Sequence, residues 1–443
     1  MRTLPLRTLP LLLVALTFGA LLLPQFAVAQ SGLVSTLKAE RLGLERGWFS
    51  QAQIDRQRHH VVNAVLEGDL LLVLSDSGVL HAMNAETGKT AWIAQFGNPN
   101  YPSLGPAANK DSVAMINGST LYVLDRSNGL QKMMKKLSGG AGGGPALTDD
   151  YVIVPMFSGR VEAYSLGEPL DFPWYYSSTG RVFDSPVATP DSVVWPTDRG
   201  FLYVANRGDE AGIRYRFESA GRIMGHPASV DGTLYFTSTN GYLYAINEQN
   251  GQQIWRYSVG SPISKPPLVV DGMAYVATDE PSLHAVDIQT GTLRWLTPGV
   301  SRVAGVGKTN VYGMNRFGQL LVVDSRSGVP LGQLETCLST MTVSNSTTDR
   351  IYLVNSTGLV QCMHEVGSDE PYLHDNSPKP EADADEAADA SADEEPMDEA
   401  ADEPADDANP FGAANSNPFG DTSNPFGDTD DDNADDPENP FPF

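Results

Sequence analysis

Between residues 61 and 366 apolar and polar positions alternate in short runs, broken at regular intervals by small turn residues. Period-two alternation bounded by turns is the pattern of β-strands. One series of turn residues falls at Gly78, Gly118, Gly159, Gly200, Gly241, Ser282, Gly318 and Gly358, at steps of 40, 41, 41, 41, 41, 36 and 40. Each introduces an alternating segment, among them "VLHAMN", "FLYVAN", "YLYAIN" and "SLHAVD". Before each comes a run rich in β-branched and aromatic residues, such as "GTLYFTS". Pro106, Pro145, Pro186, Pro227 and Pro266 recur at steps of 39, 41, 41 and 39. Proline suits the first position of a strand, where its missing N–H costs least. Each unit therefore contains strands A, B, C and D, with the glycine turn between B and C. Four antiparallel strands per ~40 residues is the sequence form of a propeller blade. Eight copies predict an all-β, eight-bladed β-propeller over residues 45–366.

The eighth copy lacks a D strand, and an open ring would leave an unpaired sheet edge. The segment "LERGWFSQAQ" ahead of blade one is expected to fill the gap, with Trp48 in the role of the D-strand tryptophans. Those tryptophans follow a turn glycine by four residues: Gly88 and Trp92, Gly251 and Trp255, Gly291 and Trp295. Glycine permits the positive φ of a tight C–D turn. The ring supplies a large apolar contact, expected against the neighbouring blade, and keeps an N–H free to bond. A cofactor box would be needed once; a recurring pattern indicates a structural clasp.

The elements "AMNAETGKTAW", "AINEQNGQQIW" and "AVDIQTGTLRW" resemble the hallmark of the pyrroloquinoline-quinone-like repeat propellers. That family includes eight-bladed quinoprotein dehydrogenases and the non-catalytic propeller subunit of the outer-membrane barrel-assembly machine. The resemblance implies the fold and divides the function. The dehydrogenases hold quinone and calcium with long insertions, adjacent cysteines and clustered polar ligands. Here eight units fill residues 61–366, the only cysteines are Cys337 and Cys362, and no acidic cluster offers calcium its six to eight oxygens. We therefore expect no cofactor, no metal and no catalytic residues. The expected role is a monomeric, non-enzymatic scaffold that binds proteins in the cell envelope. A quinone-dependent dehydrogenase is the alternative from another class, and a ligand-sensing propeller a third.

Charge and targeting narrow the setting. Arg2 and Arg7, the apolar run from Leu11 to Leu23, and Ala27-Val28-Ala29 form the pattern of a cleaved signal peptide over residues 1–29. The apolar run is 13 residues, short of the roughly 20 a spanning helix needs. Residues 30–44 read as a lead-in, and no cysteine near the cut offers a lipid-anchor site. The formal charge of −26 is concentrated from residue 369 onward, where 25 acidic residues face one basic residue, Lys379. Neither part carries the basic footprint that nucleic acid requires.

Residues 367–443 lack strand patterning and read as a disordered acidic tail. It carries Asn-Pro-Phe four times, ending on Phe411, Phe419, Phe426 and Phe441. Either these are products of low complexity, or they are aromatic anchors for multivalent docking. Arg181 and Arg222 lie five residues before Pro186 and Pro227, and Arg302 is assigned a similar D-to-A link before blade seven. Such links share a face with the B–C turns, so the three arginines are either separate solvated charges or an anion or partner rim. The tail is one candidate for that rim. His59 and His60 read as surface residues, His226 as a polar rim residue, and "GGAGGG" (139–144) as a flexible interblade connection. Cys337 and Cys362 both fall in the eighth copy, as a disulfide or as two thiols.

Overall fold

A computed structural model describes residues 32–168, 172–207, 212–336 and 340–375. The expected signal peptide, Cys337 and all four Asn-Pro-Phe copies lie outside the described residues. The described chain forms eight four-stranded antiparallel sheets, the blades of a propeller. Blade five is typical: Ala228–Val230, Thr233–Ser238, Tyr242–Asn247 and Gln253–Ser258 pair in chain order. Its A–B turn is Asp231-Gly232, both with positive φ (46° and 69°), the pair a type I′ hairpin demands.

Position within a blade explains the hydropathy pattern. B and C strands lie between neighbouring strands and neighbouring blades, so both faces are covered. Leu70–Ser75 is buried throughout. D strands form the outer edge and bury alternate positions only, as in Thr90–Gln95. The apolar side chains gather into eight clusters, one for each seam between adjacent blades, including the seam between blades eight and one. The ring is therefore closed.

Closure uses the amino-terminal strand. Leu44–Gln51 pairs antiparallel with Leu359–Glu365, setting Trp48 opposite Cys362. The chain before it is pinned as well: Gln361 accepts from the Val34 amide (3.0 Å) and donates to the Gly32 carbonyl (3.2 Å).

The D-strand aromatics reach across the seams. Indole N–H groups of Trp48, Trp92, Trp255 and Trp295 donate to the carbonyls of Ala85 (3.0 Å), Arg126 (2.7 Å), Ile288 (2.8 Å) and Ser325 (2.8 Å) in the next blade. Each ring covers that blade's C–D turn glycine. A Cβ on Gly88 would sit 2.3 Å from the Trp48 ring, and one on Gly291 2.6 Å from Trp255. The glycine beneath each tryptophan thus belongs to the following blade, not to its own hairpin. In blades three and four tyrosines make the bond: Tyr176 to the Asn206 carbonyl (2.8 Å) and Tyr215 to that of Glu248 (2.9 Å).

Two segments differ from expectation. The glycine run 139–144 is a close-packed link. A Cβ on Gly142 would lie 1.8 Å from the Val182 carbonyl oxygen, and one on Gly144 2.8 Å from the Gly105 backbone. The Gly142 amide also bonds the Pro155 carbonyl at 2.9 Å. Glycine is needed here because backbones touch, not because the chain must flex. Secondly, the chain does not leave the propeller at residue 366. Buried Arg350 donates to the carbonyls of Ser368 (2.8 Å) and Asp369 (2.7 Å), and reaches Glu86 of blade one at 3.1 Å. Further on, the His374 ring bonds the Asp271 carboxylate (2.7 Å) and the Val306 carbonyl (3.1 Å). Residues 368–375 form a strap across blades eight, seven and six.

Candidate interaction face and bore

Strand alternation puts the D–A links and B–C turns on one face and the A–B and C–D turns on the other. Backbone bonds tie each link to the B–C turn of the next blade: Gly140 to Phe157 (3.0 Å), Arg181 to Asp198 (2.9 Å), Arg222 to Thr239 (2.8 Å) and Pro262 to Asp279 (3.0 Å). Arg181 and Arg222 therefore hold equivalent positions, and both are exposed. Arg302 does not join them. Only residues 299–301 separate the D strand Leu293–Pro298 from the A strand Arg302–Val306, whereas residues 259–267 separate blades five and six. The 36-residue step falls in this short link, which draws Arg302 into the sheet, where it is half-buried and burial lowers its guanidinium's affinity for the proton.

Around Arg181 and Arg222 lie residues that the repeat pattern does not single out. Arg199, on the B–C turn of blade four, is exposed, and no salt bridge among the described residues involves Arg181, Arg199 or Arg222. Phe157 (50% exposed) shares a hollow with Arg181, Arg199 and Asp198, and meets Phe183 (41% exposed) edge to face at 5.8 Å. Residues 137–264 contain eight arginines and no lysine, a bias that favours stacking and forked hydrogen bonds over point charge. Three of these arginines lie over rings: Arg160 on Tyr175 (3.6 Å), Arg216 on Phe201 (4.6 Å) and Arg256 on Tyr242 (4.9 Å). Arginine and aromatic side chains carry most of the energy at protein interfaces. The signal available in the sequence was the lysine-free stretch.

The inner A strands of blades one to four and eight line a cavity of about 450 Å³. His226 and Ser185 line its link-side end, and Glu67 lies at the far end of the blade-one strand Val61–Glu67. Burial raises the Glu67 carboxyl to about 7, with Arg126 pulling the other way. His226 is exposed to the bore, and desolvation there lowers its imidazole's proton affinity against the opposing charge of Asp184.

The remaining candidate residues belong neither to the arginine and phenylalanine group nor to the bore, although His60 lies on the same face, its carbonyl accepting from the Asp76 amide at 3.0 Å. His59 and His60 each place Nδ1 on one oxygen of Asp76, at 3.1 and 2.9 Å. Cys362 is a free thiol in the core between blades eight and one, and burial pushes its proton affinity up. Among the described residues no three His, Cys, Asp or Glu side chains converge as metal ligands, and no helix is long and apolar enough to cross a membrane.

Residues 40–165 and 215–365 match the family model described as outer membrane protein assembly factor BamB. No curated protein sequence matches the chain. Among solved structures, BamB from Moraxella catarrhalis is similar at a TM-score of 0.60 and 16% identity, covering 73% of this chain and 98% of that one. The computationally designed Ika8 protein aligns at a TM-score of 0.56 and 12% identity, over 71% of this chain and all (100%) of its own. The C-terminal WD40 domain of Sif2 gives 0.56 and 12%, over 73% of this chain and 99% of its own. These likenesses show a shared propeller fold.

Proposed function

The chain belongs to the outer membrane protein assembly factor BamB family, and from that premise we propose that it is a non-enzymatic scaffold of the cell envelope, working in outer-membrane protein assembly. The observation that carries the proposal is the hollow shared by Arg181, Arg199 and Phe157, with neither arginine in a salt bridge and the Phe157 ring set against Phe183. Rigid turns present these groups at fixed spacing, so a partner can bury the phenylalanines and meet the guanidinium forks with little ordering cost. Pairing with the partner's carboxylates would steer its approach.

The test is a photo-crosslinking amino acid at Phe183, compared with one at Leu130, an exposed residue just past the C–D turn of blade two. Crosslinks from position 183 to a component of the outer-membrane assembly apparatus, absent from position 130, are expected. Equal products from both positions, or none from either, would remove the proposal.

A further inference from the structure

The bore is bounded by chemistry that the scaffold role does not use. One wall is small and apolar, with Ala64, Val65, Ala107 and Ala146 in it, while Asn63, Thr342 and Ser344 add polar groups elsewhere. The strand from Asn63 to Glu67 runs its length, roughly 13 Å at the usual rise per residue. At one end stands Glu67, half-buried, its carboxyl without a hydrogen-bond partner among the described residues. The nearby guanidinium of Arg126 is already committed: it donates to the carbonyls of Glu67 (2.6 Å) and Asn109 (3.0 Å) and to the Asp69 carboxylate (2.6 Å). At the other end are Ser185 and the imidazole of His226.

A cavity of this size, with an alanine and valine wall between polar groups at its two ends, has the form of a small-molecule site. We propose that the bore binds a slender aliphatic amine, with the ammonium on the Glu67 carboxylate and the alkyl chain along the alanine and valine wall. Lining and chemistry both point to this class. Ala64, Val65, Ala107 and Ala146 give an alkyl chain apolar surface to lie on. A half-buried carboxyl without a hydrogen bond gains more from a cation than from a neutral donor, because the cation offsets the desolvation that keeps it protonated. The raised proton affinity of Glu67 is what the empty site should have, and an arriving ammonium would displace that proton. The inference is independent of the scaffold proposal, whose residues lie on the outer face.

The experiment is equilibrium dialysis of radiolabelled n-hexylamine against the full-length chain at pH 7 and 0.3 M salt, where exposed charges on the acidic tail are screened. Saturable binding of one amine per chain is expected. Glu67→Gln should weaken it at least tenfold without changing the melting temperature adversely, and Val65→Phe should block it by filling the channel. Calorimetry in two buffers of different ionisation enthalpy should register proton release on binding to the unaltered chain and none with Glu67→Gln. Binding that survives Glu67→Gln undiminished would assign the amine to the tail and overturn the proposal. The absence of saturable binding would overturn it as well.

Discussion

The seam between blades five and six and the seam between blades eight and one are built with the same contact but from different reaches of chain. In the first, Trp255 covers Gly291 and bonds Ile288, and its strand Gln253–Ser258 follows its own C strand after a short turn. In the second, Trp48 covers Gly88 and bonds Ala85, but its strand Leu44–Gln51 meets a C strand some 300 residues away. The closing seam also carries contacts the ordinary one lacks: Tyr352 to the Ala85 carbonyl (3.3 Å), and Arg350 linking Glu86, Asp349 and the strap. An aromatic over a glycine suffices where the turn holds the strand nearby. Where the strand can detach as a unit, these polar ties join blade eight to blade one independently of it. Such a segment belongs to the low-stability end of a structure, where local opening precedes global unfolding.

Removing each tryptophan should separate the two cases. Trp48→Ala and Trp255→Ala each delete a large packed ring, worth about 3–5 kcal/mol. Hydrogen exchange should localise the damage differently. Trp48→Ala should release residues 44–51 and the facing strand Leu359–Glu365 below the global unfolding limit. Trp255→Ala should lower protection in blades five and six together with the whole ring. Identical exchange profiles would show that chain reach does not matter.

A smaller effect tests the glycine side of the same contact. Gly291 and Gly272 both have positive φ, 68° and 74°, but a Cβ on Gly272 meets nothing within 4 Å. Gly272→Ala should therefore cost only the backbone strain, about 1 kcal/mol or slightly more. Gly291→Ala should cost about 1–3 kcal/mol more, for pushing Trp255 off its seat. Chemical denaturation of both variants measures the difference, and equal losses would deny that the ring presses on the turn.

The smallest expected effect concerns pH, where blade one meets Arg126 of blade two. Glu67 is raised from 4.5 to about 7 in the native ring, so the folded state favours its protonated form. Its contribution to stability is complete below pH 4.5 and lost as pH rises through about 7. Glu67→Gln should flatten that part of the stability profile, read as the melting temperature from pH 5 to pH 8. An unchanged slope would mean that another group sets it.

The repeat spacing made the blades and the closing strand legible, because period-two patterning and turn residues are local signals. It failed where the third dimension chose between equal local readings. Arg302 has the same sequence relation to its blade as Arg222 only if the links are equal in length, and the link before blade seven is short. A glycine run has one composition whether it bends freely or threads between backbones, and only the approach of Val182 to Gly142 distinguishes them. Tyr215 stands in for a tryptophan because a phenol also reaches the next carbonyl, which a tryptophan count overlooks. Strap residues such as His374 sit in strongly acidic surroundings without strand alternation, so their partners, Asp271 and Val306, leave no mark in the local pattern. The exposed Phe157–Phe183 pair and unpartnered Glu67 depend on what neighbouring blades do not provide, a property that residue spacing cannot encode.

The glycine link between blades two and three has an evolutionary consequence. Because Gly142 and Gly144 admit no added carbon without moving the main chain around Val182 and Gly105, these positions of the junction are closed to substitution. Repeats gained or lost by recombination would be tolerated more readily at junctions where side chains can repack. Blades two and three should therefore be inherited together, even in descendants whose blade number has changed.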